Sequence, residues 1–208
     1  MFVNPIGARL GLCTIGCPHG SGGMPDALVI IDMQAGSFGP ACPPRHDAEA
    51  LFKRLNALAR WVRAGGGLVV WVQHDGPPGD VLEPGTDGWR ILPALERYAG
   101  DETVNKTACD SFLGTRLEAL LRAQTPDRVI ITGWATDFCV DTTVRSGTAR
   151  GFKTFAPADG HTLSDRPHLP AVKLIEHHNY VWSNLIAPGG PVNITSCEEL
   201  MSGSMQLA

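Results

Sequence analysis

The chain has 208 residues, 43% apolar and 18% charged, with a formal net charge of −4. That is the make-up of one globular domain, long enough for a sizeable core. It carries no basic stripe for nucleic acid, no polybasic run for an anionic membrane, and no apolar stretch near the roughly 18 residues of a membrane span.

Residues 1–23 are Gly-rich and non-periodic and read as a flexible N-terminal extension, leaving a single domain over 24–208. Pro5, Gly7, Gly11 and Gly16 break any continuous apolar segment there, so the stretch does not read as a secretion signal. Cys13, Cys17 and His19 would offer three soft ligands, but their spacing matches no strong zinc pattern and no fourth ligand lies nearby. The six cysteines, at 13, 17, 42, 109, 139 and 197, show no disulfide framework and read as free thiols in a reducing, cytoplasmic compartment.

The unbroken apolar run 27–33, with Asp32 at its end, predicts a strand covered on both faces. A helix follows over 47–64, with Leu51, Leu55, Leu58 and Val62 on one stripe and Gly65-Gly66-Gly67 ending it. A second buried strand spans 68–73. Residues 74–100 read as a long functional loop. A short third strand, 103–105, ends at Lys106, and a helix over 114–123 turns Leu117, Leu120 and Leu121 inward.

The fourth strand is 129–132. Cys139 follows it and opens a helix over 139–150, where the helix end favours thiolate. A fifth strand is expected at 152–156, a helix at 169–185 and a last strand at 191–195. This alternation implies a three-layer αβα sandwich around a mainly parallel six-stranded sheet, order 3-2-1-4-5-6.

In such a sheet ligands bind beyond the carboxyl ends of the strands, where the strand order reverses. Asp32, Lys106 and Cys139 all fall at that edge. An acid, an ammonium and a thiol there make a base, an electrostatic partner and a nucleophile. Backbone amides of the turn 133–138 are candidates to cradle an oxyanion. Each residue alone has a plainer role: Asp32 as a helix cap, Mg²⁺ or phosphate ligand, Lys106 on the surface, Cys139 as an inert buried thiol.

Three segments carry a family resemblance: Leu28-Val29-Ile30-Ile31-Asp32-Met33-Gln34 with Phe38; Asn105-Lys106-Thr107 with Ser111-Phe112 and Gly114-Thr115; and Gly133-Trp134-Ala135-Thr136-Asp137-Phe138-Cys139-Val140 with Thr143, Ala149 and Gly151. In order and spacing, across residues 25–187, the chain resembles the isochorismatase-like cysteine hydrolases. It looks most like an uncharacterised branch, near streptothricin hydrolase and other amidohydrolase members. The resemblance implies the triad Asp32, Lys106 and Cys139, a cis peptide between Trp134 and Ala135, and an oxyanion hole from the Ala135 and Cys139 amides. It implies a homo-oligomer, no cofactor, and cleavage of the C–N bond of a small amide or lactam through a thioester.

Phe38, His74, Trp89, Phe112, Trp134 and His161 stand beside these motifs and are expected to line the substrate pocket. A nicotinamidase-type metal would need ordered ligands after strands 1 and 2. Arg45-His46-Asp47 and His74-Asp75 stand in a different order, so no metal is expected. Two competing functions remain: an idle scaffold binding a small molecule or partner, and isochorismatase-type ether hydrolysis. A metal-dependent phosphotransferase would want a second acid beside Asp32, which Met33, Gln34 and Ala35 do not supply.

Overall fold

The computed structural model describes residues 25–203. The expected extension at 1–23 and its cysteines lie outside them. The strands are β1 (Ala27–Ile31), β2 (Leu68–His74), β3 (Glu102–Lys106), β4 (Val129–Trp134), β5 (Thr154–Phe155) and β6 (His161–Thr162). The helices are α1 (Ala48–Ala64), α2 (Leu117–Gln124), α3 (Asp141–Ala149), α4 (Ala171–Ser183) and α5 (Cys197–Ser202). All five strand pairings are parallel.

Successive residues of a strand point to opposite faces, and here both faces are apolar. Val29 and Ile31 of β1, Val70 and Val72 of β2, and Val129 and Ile131 of β4 pack with Leu117 and Leu121 of α2, Val144 of α3 and Trp182 of α4. Leu28, Ile30, Val69, Trp71 and Ile130 face the other way, onto Leu51, Leu55, Leu58 and Val62 of α1 and Cys197 and Leu200 of α5. The result is the three-layer sandwich. Each fully buried leucine of the α1 stripe contributes about 1.5–3 kcal/mol.

The sheet order is β3-β2-β1-β4-β5, with β6 also paired to β4. The expected order holds, with residues 191–195 beside β5, and β6 is an additional pairing on β4. β5 takes only the start of β4, at Val129 and Ile130, and β6 takes its end, at Gly133 and Trp134. The expected strand 191–195 forms a single bridge, Asn193 to Phe155. Two-residue strands cannot cover the whole edge of a six-residue strand, so β5 and β6 share it.

Two helices differ most from expectation. The helix carrying Cys139 begins earlier, as a π-helical turn over Thr136–Val140 that runs into α3. α5 was not anticipated, although Ser196 and Glu199 form a reciprocal capping box at its start.

The ends of β1 and β4 lie side by side. Ile31 pairs with Gly133. A side-chain carbon on Gly133 would stand 2.2 Å from the Ile31 carbonyl oxygen, and its φ is +119°. Only glycine fits that contact. Among the described residues no helix is long and apolar enough to cross a membrane.

Candidate active site

Asp32 leaves β1 with φ +51°, in the left-handed region. Its amide donates to the Val72 carbonyl at 2.9 Å, and its carbonyl accepts from the Gln34 amide at 2.8 Å. These bonds hold a conformation that an aspartate otherwise adopts seldom. Lys106, at the end of β3, extends its side chain beneath the sheet edge. Its Nζ donates to Asp32 Oδ2 at 2.7 Å, to the Ala108 carbonyl at 3.0 Å and to Cys139 Sγ at 3.3 Å.

The three expected residues therefore stand around one ammonium group. Both members of the ion pair are buried. Asp32 Oδ1 is buried and has no hydrogen-bond partner. A free acceptor beside a thiol is the feature a proton transfer requires.

Burial raises the Asp32 pKa above the ordinary carboxylate value, against the pull of Lys106. Burial works against the charge of Lys106, but Asp32 and Cys139 outweigh it and its pKa is held up. Cys139 is pushed well up, first by burial and then by the Asp32 charge, with Lys106 opposing. This corrects the sequence-based expectation of a resting thiolate. The helix end and the ammonium do not overcome desolvation and a neighbouring carboxyl group, so Cys139 rests as a neutral thiol beside the Asp32–Lys106 pair.

The Trp134–Ala135 peptide bond is cis. The Ala135 carbonyl accepts from the amides on either side of Cys139, those of Phe138 and Val140, each at 3.1 Å. Arg166 clamps this turn through two bonds to the Asp137 carboxylate, at 2.7 and 2.8 Å.

The expected pocket residues divide. Phe38 and Trp134 meet edge to face at 6.3 Å, and both are partly exposed. His74 ends β2 near enough to Asp32 to favour its charged form. The Trp89 carbonyl accepts from Gln34 and Gln73, and its indole N–H donates to Asp75 at 2.7 Å. Its ring lines a cleft of about 420 Å³ with Gln73, Ile91, Arg97 and Thr103, away from the triad.

Two of the expected residues are core. Phe112 is 5% exposed and stacks on Phe152 at 5.9 Å. His161 is 3% exposed. Its Nδ1 meets the Thr136 hydroxyl at 3.0 Å and its Nε2 meets the Asn179 side-chain oxygen at 3.1 Å. Burial drives its pKa down to about 4, so the ring is neutral. Both residues orient what surrounds the site and do not wall it.

Three supporting groups received no role from sequence reasoning. The Gln34 side chain donates to the His74 and Trp89 carbonyls and accepts from the His74 amide at 2.8 Å, tying β1, β2 and the 74–100 loop together. Thr143, one turn beyond Cys139, accepts from the Ser111 amide and donates to its hydroxyl, latching the helix that follows Cys139 to the loop after Lys106. Arg45 lies over the Trp134 ring at 4.9 Å. A buried glutamine directly after a strand end was a visible signal for the first; the other two are contacts between distant segments. A cleft of about 310 Å³ opens over Asp75, Asn105, Lys106 and Leu113. Cys42, Cys109, Cys139 and Cys197 are free thiols. Among the described residues no three His, Cys, Asp or Glu side chains converge as metal ligands.

A family model described as the isochorismatase domain matches residues 26–189. The chain belongs to the isochorismatase family. Two streptothricin hydrolases of Streptomyces noursei are 33% and 34% identical over 146 residues, 70% of this chain. The match spans only 58% and 52% of the length of those relatives. A ureidoacrylate amidohydrolase of Methylorubrum extorquens is 28% identical over 68% of this chain and 71% of its own. A crystal structure of an isochorismatase family protein superposes with a TM-score of 0.74 at 27% identity, covering 82% of this chain and 98% of that one.

Proposed function

We propose that this member of the isochorismatase family is a cysteine-dependent hydrolase that cleaves the C–N bond of a small non-peptide amide or lactam through a thioester. One observation carries it: a single lysine ammonium bridges Asp32 and Cys139, while the second oxygen of the same carboxylate is buried and unpartnered. An idle scaffold has no use for a buried acceptor held beside a thiol. The name of the ureidoacrylate amidohydrolase relative supports the same bond type.

Asp32 Oδ1 takes the thiol proton as sulfur attacks the carbonyl carbon and a C–S bond forms. The oxyanion rests on the amides of Ala135 and Cys139. Asp32 returns the proton to the nitrogen, the C–N bond breaks and the amine leaves. Water gives a proton to Asp32 and attacks the thioester. The acid departs and sulfur recovers its proton. Lys106 fixes Asp32 in place and offsets charge at each stage. The fold is expected to work in the cytoplasm as a dimer or larger assembly on a small amide substrate, without a cofactor.

The test is a panel of small primary amides and lactams, followed by ammonia release or ring opening, with wild-type protein and Cys139→Ser. Trapped thioester on Cys139 in the wild type, found by mass spectrometry after acid quench, supports the reading. Full turnover by Cys139→Ser would end it.

A further inference from the structure

Arg45 is a half-buried cation short of negative charge. Its Nε and Nη2 donate to the Ser37 carbonyl, at 3.1 and 2.6 Å, and its Nη1 to the Ser164 hydroxyl. Among the described residues the guanidinium is thus met by carbonyl and hydroxyl oxygen and by no carboxylate. Three of its five N–H groups are engaged and two are free. Burial lowers its pKa; Cys42 opposes this, and the nearby Arg166 charge adds to it. Asp165 lines the outer cleft beside Arg45, His46 and Ser164, and its Oδ1 accepts from the Ala171 amide at 2.8 Å.

Two more polar groups stand next to it without partners. Ser37 is 5% exposed, and its hydroxyl is buried with no hydrogen bond. The Trp134 indole nitrogen, in the ring beneath Arg45, is likewise buried and unbonded. Native structures leave few such atoms unpaired, and those that remain call for a partner. Here both can donate, and both belong to residues that contact a cation with spare donors. Trp134 also begins the cis peptide to Ala135, so the cluster abuts the turn that carries Cys139.

We propose that Arg45, the Ser37 hydroxyl and the Trp134 indole N–H form a donor-lined subsite for a carboxylate on the substrate, which makes the natural substrate an anionic amide. This rests on the hydrolytic reading above and narrows its substrate class. A planar guanidinium matches a carboxylate in shape and charge, and a partly dehydrated setting strengthens the pairing.

The experiment measures equilibrium binding of succinamate, glutaramate and adipamate, and of the matching neutral diamides, to Cys139→Ser. The best acid is expected to bind about tenfold or more tighter than its diamide. Arg45→Gln in the same background brings that ratio to about one, and Ser37→Ala lowers it. Arg45→Lys keeps part of it. A ratio near one in Cys139→Ser, no binding of any acid, or a preference that survives Arg45→Gln overturns the proposal. The Cys139→Ser ratio stands alone should Arg45→Gln fail to fold. Wild-type turnover separates the two readings. Acids that bind but are never hydrolysed would remove the hydrolytic function and leave the subsite. Hydrolysis confined to neutral amides would do the reverse.

Discussion

Lys106 and Asp32 form a 2.7 Å ion pair with both side chains shut away from solvent. Lys106 uses only Oδ2 of the carboxylate, and Oδ1 is buried without a hydrogen-bond partner. The lysine therefore holds the aspartate without consuming the oxygen proposed as the base. Removing either member has a different consequence.

Lys106→Met leaves a carboxylate buried and unpaired, and is expected to cost about 3–5 kcal/mol of stability. Asp32→Asn keeps the shape but removes the base, and is expected to lower kcat/KM by about 10²–10⁴-fold. Urea unfolding and steady-state rates check the pair. An Asp32→Asn protein within tenfold of wild type contradicts the assigned role.

Cys139 rests as a thiol because burial and the Asp32 charge push its pKa up. Its alkylation by iodoacetamide in the absence of substrate is expected to be slow at neutral pH. The rate should climb without a plateau across roughly pH 6 to 10, since only the thiolate reacts. Exposed Cys109 provides the internal comparison in the same digest. A plateau for Cys139 below pH 8 would mean a preformed thiolate.

His161 is buried and neutral, with its pKa taken from 6.5 to about 4. The unfolded chain binds the extra proton between these values, so stability falls as pH drops through that window and is fully present above it. The contribution at neutral pH is roughly 3 kcal/mol. His161→Gln is expected to flatten the dependence of the urea midpoint between pH 7 and 4.5. An unchanged slope would place the titration elsewhere.

Gln34 spends its whole amide on three backbone bonds around His74 and Trp89. Gln34→Ala is expected to cost about 3 kcal/mol, since it strands buried backbone groups. It should also lower kcat by loosening the chain at Asp32. Thermal melting and kcat together test this. Loss of stability with unaltered kcat would confine Gln34 to the fold.

Much of this architecture was readable in local pattern. The alternation of apolar residues to both faces of 27–33 and 68–73 announces a sheet covered on two sides, and the stripe Leu51, Leu55, Leu58, Val62 marks α1 to within a residue of its start. Strand ends in a parallel sheet share one edge, so chain order alone brings Asp32, Lys106 and Cys139 to a common edge. Phe112 and His161 were also at that edge in sequence, yet the structure turns both into the core.

The sequence by itself determined the layers, the strand directions and which residue types gather at the sheet edge, because periodicity and chain order act through near neighbours. Tertiary packing decided how β6 shares β4 with β5, where Arg45 meets Trp134, and that Cys139 rests protonated. Those outcomes depend on burial and on charges brought together from segments far apart in the chain. Desolvation is a property of the assembled interior, which no local stretch of residues encodes.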